Sequence, residues 1–333
     1  MLELMPLLWF AVIGFGVFMY VFLDGFVLGI GILSRLARDE GERDVMMNSV
    51  APVWDGNETW LVLGGAGLLA AFPPVYSAML PALYLPLSLM LIALIFRGVA
   101  FEFRFKARRK AGWNAAFNYG SIVATFCQGL TLGAIVQGIE VRGGQYVGGS
   151  FDWLSPFSVM TGIALVAGYA LLGASWLVMK AEGPLQTAAF GWCRRLLFAV
   201  IGFMALVSLW VPFLELAYAE RWFSWPNIAY LAPVPVLVAA VSLGLYRAVS
   251  RRFERAPFVY SLAMFGLGYA GLAISMWPHI MPPHLTIWNA ASPPESQAFL
   301  MVGVAVLVPF ILFYTGYSYW VFRGKVTADA GYH

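Results

Sequence analysis

Charge is what this sequence has least of. Asp, Glu, Lys and Arg together make up 11% of its 333 residues, against roughly 25% in an ordinary soluble domain. With 61% hydrophobic residues and a mean hydropathy of +0.78, the balance excludes a soluble globular domain and describes an integral membrane protein. Histidine is almost missing. Only His279, His284 and His333 occur, none within a long apolar run, so no spanning helix offers the imidazole that a membrane b-type haem usually needs. Cysteine is limited to Cys127 and Cys193, both in or beside apolar runs. They give neither a disulfide framework nor a metal-ligand spacing and read as packing residues, like the 14 Met. A basic face is lacking too, because the net charge of +3 is spread over short loops; that excludes nucleic-acid binding. The N-terminus, MLELMPLLWFAVIGFG, has no basic region before its apolar stretch, so a retained first span is expected rather than a removed signal.

What the chain has in abundance is apolar runs of about 20 residues, the length that crosses a bilayer as a helix. Nine are expected, at about 6–33, 55–73, 78–100, 115–139, 157–179, 191–214, 227–248, 258–277 and 298–322. The connections leave no room for a soluble domain. The Pro-rich segment 278–297 reads as an ordered external loop rather than a strand, with Trp277, Trp288 and the WFSWP run at 222–226 forming an aromatic belt at the same face.

Basic residues orient the spans. One set of alternate connections, with the C-terminal tail, holds 17 Lys and Arg, while the other set holds only Arg142 and Arg221. Short cytoplasmic loops are enriched in Lys and Arg, so the N-terminus is expected outside and the C-terminus in the cytoplasm. An internal repeat is faint: Tyr20-x-x-Leu23 and Tyr169-x-x-Leu172 share a spacing in the first and fifth spans.

A few polar side chains need an explanation. Asp24 sits in GVFMYVFLDGFVLGIGIL, roughly 14 Å from the inner end of its helix. A carboxylate there is costly unless protonated, paired or hydrated, which makes it a functional candidate or a neutral Asp bonded to a neighbouring helix. Arg97, in LIALIFRGVAFEFRFK, either snorkels to the interface or joins a network. With alternating topology, Asp24, Asp55, Glu58, Arg97 and Glu102 all fall in the cytoplasmic half of three consecutive helices. A hydrated network of alternating charge at that place suits a proton path. The stretch VAPVWDGNETWLVLGG also has the spacing of a capping box, with Asp55 as N-cap and Glu58 three residues on. Gln128 and Gln137, interleaved with Gly129, Gly133 and Gly138, read first as a helix-packing face and second as a quinone-facing one.

The segments FLDGFVLGIGIL, APVWDGNETWLVLGGAGLLAAFP, FRGVAFEFR, QGLTLGAIVQG, LTIWNAASPPES and VLVPFILFYTGYSYWVFRGKV occur in this order. Together they resemble subunit II of cytochrome bd-type quinol oxidases, and the modest length and compact loops are closer to the cyanide-insensitive branch than to the longer enterobacterial form. The resemblance implies a single membrane domain, residues 1–333, all-α with nine transmembrane helices. Its parts would be a first four-helix bundle at 1–140, a second at 157–277, the external loop at 278–297 and a peripheral helix at 298–322. It further implies a bacterial inner-membrane heterodimer with a haem-bearing subunit I that carries the b-type and d-type haems, oxidises quinol and reduces oxygen to water. This chain would bind no haem, could hold a structural quinone and could meet a small single-helix accessory subunit. The positions matching the family's proton-uptake residues are Asp24 and Asp55.

The expected role is therefore scaffolding plus proton conduction. Asp55 and Glu58 would collect protons, Asp24 would relay them, and Arg97 with Glu102 would pair and tune the carboxylates. A secondary transporter, which would need helices broken at midplane, and a purely structural partner subunit are the rival readings.

Overall fold

The computed structural model describes residues 4–326, so His333 lies outside the described residues. In chain order the elements are α1 (Met5–Leu33), α2 (Glu40–Asn48), α3 (Trp54–Ala71), α4 (Pro73–Ala82), α5 (Tyr84–Arg104) and α6 (Ala111–Gln137), followed by the strand pair β1 (Val141–Arg142) and β2 (Gln145–Tyr146). Then come α7 (Pro156–Lys180), α8 (Gly183–Trp210), α9 (Leu216–Phe223), α10 (Asn227–Leu231), α11 (Pro233–Ser250), α12 (Ala256–Met276), the pair β3 (His279–Met281) and β4 (Leu285–Thr286), and α13 (Pro294–Val321). Among the described residues, 8 helices are long and apolar enough to cross a membrane, and α3 with α4 makes up to 9 if that bent pair is one span.

Several boundaries differ from those expected. The apolar run through 55–82 is cut at Phe72, where Pro73 and Pro74 open a new helix bent by 120° from α3; a Pro lacks the N–H that would continue the helix. A broken pair therefore exists, but it lies at the end of the 18-residue α3, about 27 Å from its start, rather than at its middle. The segment 278–297 is not free of strands, because β3 and β4 pair antiparallel within it. The last helix starts at Pro294, and α8 starts at Gly183, each several residues before the apolar run does.

The helices meet closely where side chains are small. α1 packs on α3, α6 and α7. At the α1–α7 crossing Gly29 and Gly173 lie against each other's backbone, and a Cβ on Gly29 would overlap the Tyr169 carbonyl. On α6, Gly129 and Gly133 meet Thr161 and Ser158 of α7 in the same way, as the small-residue spacing implies. Gly138 does something different: with φ 95° it ends α6. Gln128 donates to the Tyr20 hydroxyl at 2.7 Å, and Gln137 accepts from Ser155, so both amides bond across helices. Cys127 and Cys193 are free and buried.

α7, α8, α11 and α12 also pack on one another. The short helix α2 is tied down by Arg104, wholly buried at the end of α5, which binds Glu40, Asp44 and Asn114. At the other end of the molecule Phe72, Val75, Ile139, Met281 and Ile287 form a separate apolar cluster. α13 touches the rest mainly at its ends. Buried Gln297 donates to Ala71 O at 3.1 Å, and its own carbonyl accepts from Trp9. At the far end Lys180 donates to the carbonyls of Phe322 and Gly324.

Candidate functional site

α1, α3 and α5 bring three of the five expected residues into one bonded cluster. Arg97 donates from Nη1 to Asp24 Oδ1 at 3.0 Å and from Nη2 to Asp24 Oδ2 at 3.2 Å. The same Nη2 donates to Glu58. Asp24 and Arg97 are both 0% exposed, while the Glu58 side chain keeps 29% of its surface. Arg97 therefore does not snorkel. Its guanidinium lies 5.8 Å from the Trp54 ring, which is itself stacked on Phe101, a cation–π contact on a desolvated cation.

Local sequence explains how α3 enters this cluster, and the explanation corrects the expected cap. The helix starts at Trp54, its N-cap is Val53, and no side chain caps it. Residues 50–53 already form hydrogen-bonded turns: Trp54 N donates to Val50 O and Asn57 N to Val53 O. The amides that Asp55 would have capped are thus bonded to backbone, and Asp55 sits in the first turn instead.

The other two expected residues stand apart from Arg97. Asp55 and Glu102 are exposed and form no ion pair among the described residues. They line a cavity of 380 Å³ together with Asn57, Thr315, Ser318 and Tyr319. Glu102 therefore does not pair with Arg97 and shares this cavity with Asp55. Asn57 is buried in this lining: it is 1% exposed, donates to Leu23 O at 2.8 Å and accepts from the Tyr319 hydroxyl at 3.1 Å. The next residue is Glu58. The first turns of α3 thus carry, within four residues, a carboxylate of the cavity, a buried amide and a carboxylate of the ion cluster.

Two contributors were not picked out from sequence. Tyr20 stands beside Asp24, one helical turn before it, and is held by Gln128; its i, i−4 spacing from a buried carboxylate was the available signal. Tyr319 and its neighbours on α13 carried no such signal, since Tyr319 is 262 residues from its partner Asn57.

A family model described as cytochrome bd terminal oxidase subunit II matches residues 5–322. The chain belongs to that family. Among curated relatives it is 29% identical to the cytochrome bd-I ubiquinol oxidase subunit 2 of Escherichia coli strain K12, over 98% of this chain and 96% of that one. It is 28% identical to the cytochrome bd ubiquinol oxidase subunit 2 of Bacillus subtilis strain 168, over 96% of each. Among solved structures, the bd oxidase from Geobacillus thermodenitrificans has a chain of the same fold, with a TM-score of 0.75, 18% identity, and cover of 93% of this chain and 97% of that one.

As a bd-type subunit II, the chain is part of a quinol oxidase complex, an oxidoreductase, and a multi-pass protein of the bacterial inner membrane. The family implies haems in that complex. Among the described residues no group of ≥ 3 His, Cys, Asp or Glu could hold a metal ion, and His279 and His284 belong to the β3–β4 segment outside the helices.

Proposed function

We propose that this subunit II scaffolds a haem-bearing subunit I and conducts protons toward its oxygen-reducing site. The observation that carries the reading is the single guanidinium of Arg97 shared by Asp24 and Glu58 inside the helices. Two carboxylates against one cation leave one surplus negative charge in a desolvated place, and a proton is the counter-charge that can come and go. Protons enter between Asp55 and Glu102, pass Asn57 to Glu58 and reach Asp24. The Lys- and Arg-rich connections support a cytoplasmic mouth with the N-terminus outside, and in this reading uptake there builds a potential as oxygen is reduced to water.

In this reading α1, α3, α5 and α6 form one four-helix bundle, α7, α8, α11 and α12 a second, and α13 the peripheral helix. The haems, b-type with a d-type or a third b-type, reside in subunit I, which oxidises quinol. Structural quinone in this chain and a single-helix accessory subunit belong to the same picture.

The test is Asp24→Asn in the purified complex, with haem content read by absorbance and turnover by oxygen consumption. Expected is full haem content with oxygen reduction slowed roughly tenfold or more, a barrier rise of about 1.4 kcal/mol, while Glu220→Gln, an exposed carboxylate on α9 that lines neither the cavity nor the ion cluster, stays within about twofold. Unchanged turnover in Asp24→Asn removes Asp24 from the route. Haem loss in that variant supports the purely structural role instead.

A further inference from the structure

The basic residues of this protein differ in whether they meet a carboxylate. In the first half, Arg38, Arg43, Arg104 and Lys110 each bind a carboxylate. In the second half, Arg194, Arg195, Arg247, Arg251, Arg252 and Arg255 are all exposed, and none forms an ion pair among the described residues. The acids nearest to them in sequence are engaged elsewhere, because Lys325 lies 4.0 Å from Glu182 and 2.9 Å from Glu254.

Two of these arginines settle on aromatic rings across a helix pair. Arg194 of α8 lies 5.9 Å from the ring of Tyr246 on α11, and Arg252, just past the end of α11, lies 5.7 Å from Phe190 on α8. Two guanidinium groups thus lie along one α8–α11 seam, and exposed Arg247 is the residue next to Tyr246 on α11. Below them the seam is apolar and open: Phe198 is 57% exposed and Leu243 47%. Phe198 comes four residues after Arg194, and Leu243 four before Arg247. The basic ends of the two helices are the start of α8 and the finish of α11, so both steps lead the same way, one turn deeper into the membrane.

We propose that the α8–α11 seam binds an anionic phospholipid, with its phosphate held by Arg194, Arg247 and Arg252 and its acyl chains laid on Phe198 and Leu243. Guanidinium forks match phosphate oxygens in pairs and are weakly hydrated, which suits them to that contact at the interface. The apolar half of the seam singles out a lipid, since a free anion gains nothing from Phe198 or Leu243. The site is independent of the proton route.

The test uses the oxidase complex in nanodiscs of phosphatidylcholine doped with phosphatidylglycerol, with retained phosphatidylglycerol counted by native mass spectrometry. A triple variant R194Q/R247Q/R252Q is compared with K106Q/R108Q/R109Q, which removes the same charge from exposed residues of the first half. At roughly fivefold per arginine, the seam variant is expected to lose phosphatidylglycerol affinity by about a hundredfold, with the control unchanged and inorganic phosphate unable to displace the lipid. Equal loss in both variants, which is the signature of diffuse surface charge, overturns the proposal. So does undiminished retention in the seam variant, or displacement by inorganic phosphate. If the triple variant does not assemble by haem absorbance, single R194Q serves, with a fivefold loss expected and no loss overturning the site.

Discussion

Arg97 and Asp24 meet as a two-point pair between α5 and α1, at 3.0 and 3.2 Å, with neither side chain exposed. Removing one member of such a pair strands the other. Arg97→Leu leaves Asp24 and Glu58 without their cation and is expected to cost about 3–5 kcal/mol. Thermal unfolding of the purified complex should show it as a large drop in midpoint, well beyond that of Asp24→Asn, whose amide keeps shape and hydrogen bonding.

The α1–α7 crossing makes a sharper prediction. A methyl group on Gly29 runs into the Tyr169 backbone, whereas one on Gly65 meets nothing within 4 Å. Gly29→Ala should therefore destabilise by about 3 kcal/mol or more and lower the yield of assembled complex. Gly65→Ala should change stability by no more than about 0.5 kcal/mol. Equal yields for the two variants would show that the helices part easily.

Tyr319→Phe tests the docking of α13. It keeps the ring against Phe26 and Trp176 and removes only the hydroxyl that Asn57 accepts from. The expected loss is about 1 kcal/mol, because a buried amide oxygen is left unpartnered. It would be read as a small fall in the unfolding midpoint with haem content intact.

At the surface, Glu42 on α2 provides the pH-dependent case. Its carboxylate accepts from Arg38 Nε and from Arg38 N, both at 2.8 Å, and the Arg38 side chain holds it below the usual glutamate value. A folded-state value below the unfolded one stabilises at neutral pH and is lost as pH falls through it. Glu42→Gln should thus lower stability by under about 1 kcal/mol at pH 7, as exposed pairs do, and have no effect once the medium is more acidic than that folded-state value. Urea unfolding at the two pH values distinguishes these outcomes.

The long apolar helices, the place of Asp24 and the nearness of Arg97 and Glu58 could be read along the chain, because each rests on hydropathy or on helix spacing. The start of α3 could not. A capping box is a local pattern, and at Asp55 it was overridden by the turns arriving from Val50. The division of labour between Glu58 and Glu102 was equally hidden: both carboxylates lie near Arg97 in topology, but only the rotation of α3 and α5 decides that Glu58 meets the guanidinium and Glu102 the cavity. The short β pairings escaped because two or three residues carry no periodicity to detect. Tyr319 escaped because nothing in a lipid-facing helix announces a contact with a residue so far back in the chain.

The way α13 is held has a consequence for biosynthesis. A membrane protein made from its N-terminus has α1, α3 and α5 in place well before α13 leaves the ribosome. Until then the cavity lacks the wall made by Tyr314, Thr315, Ser318 and Tyr319, and Asn57 lacks the hydroxyl it accepts from. The acidic mouth is completed only when the last described helix is threaded past it and clasped at Gln297 and Lys180. A half-made chain therefore lacks a finished cavity.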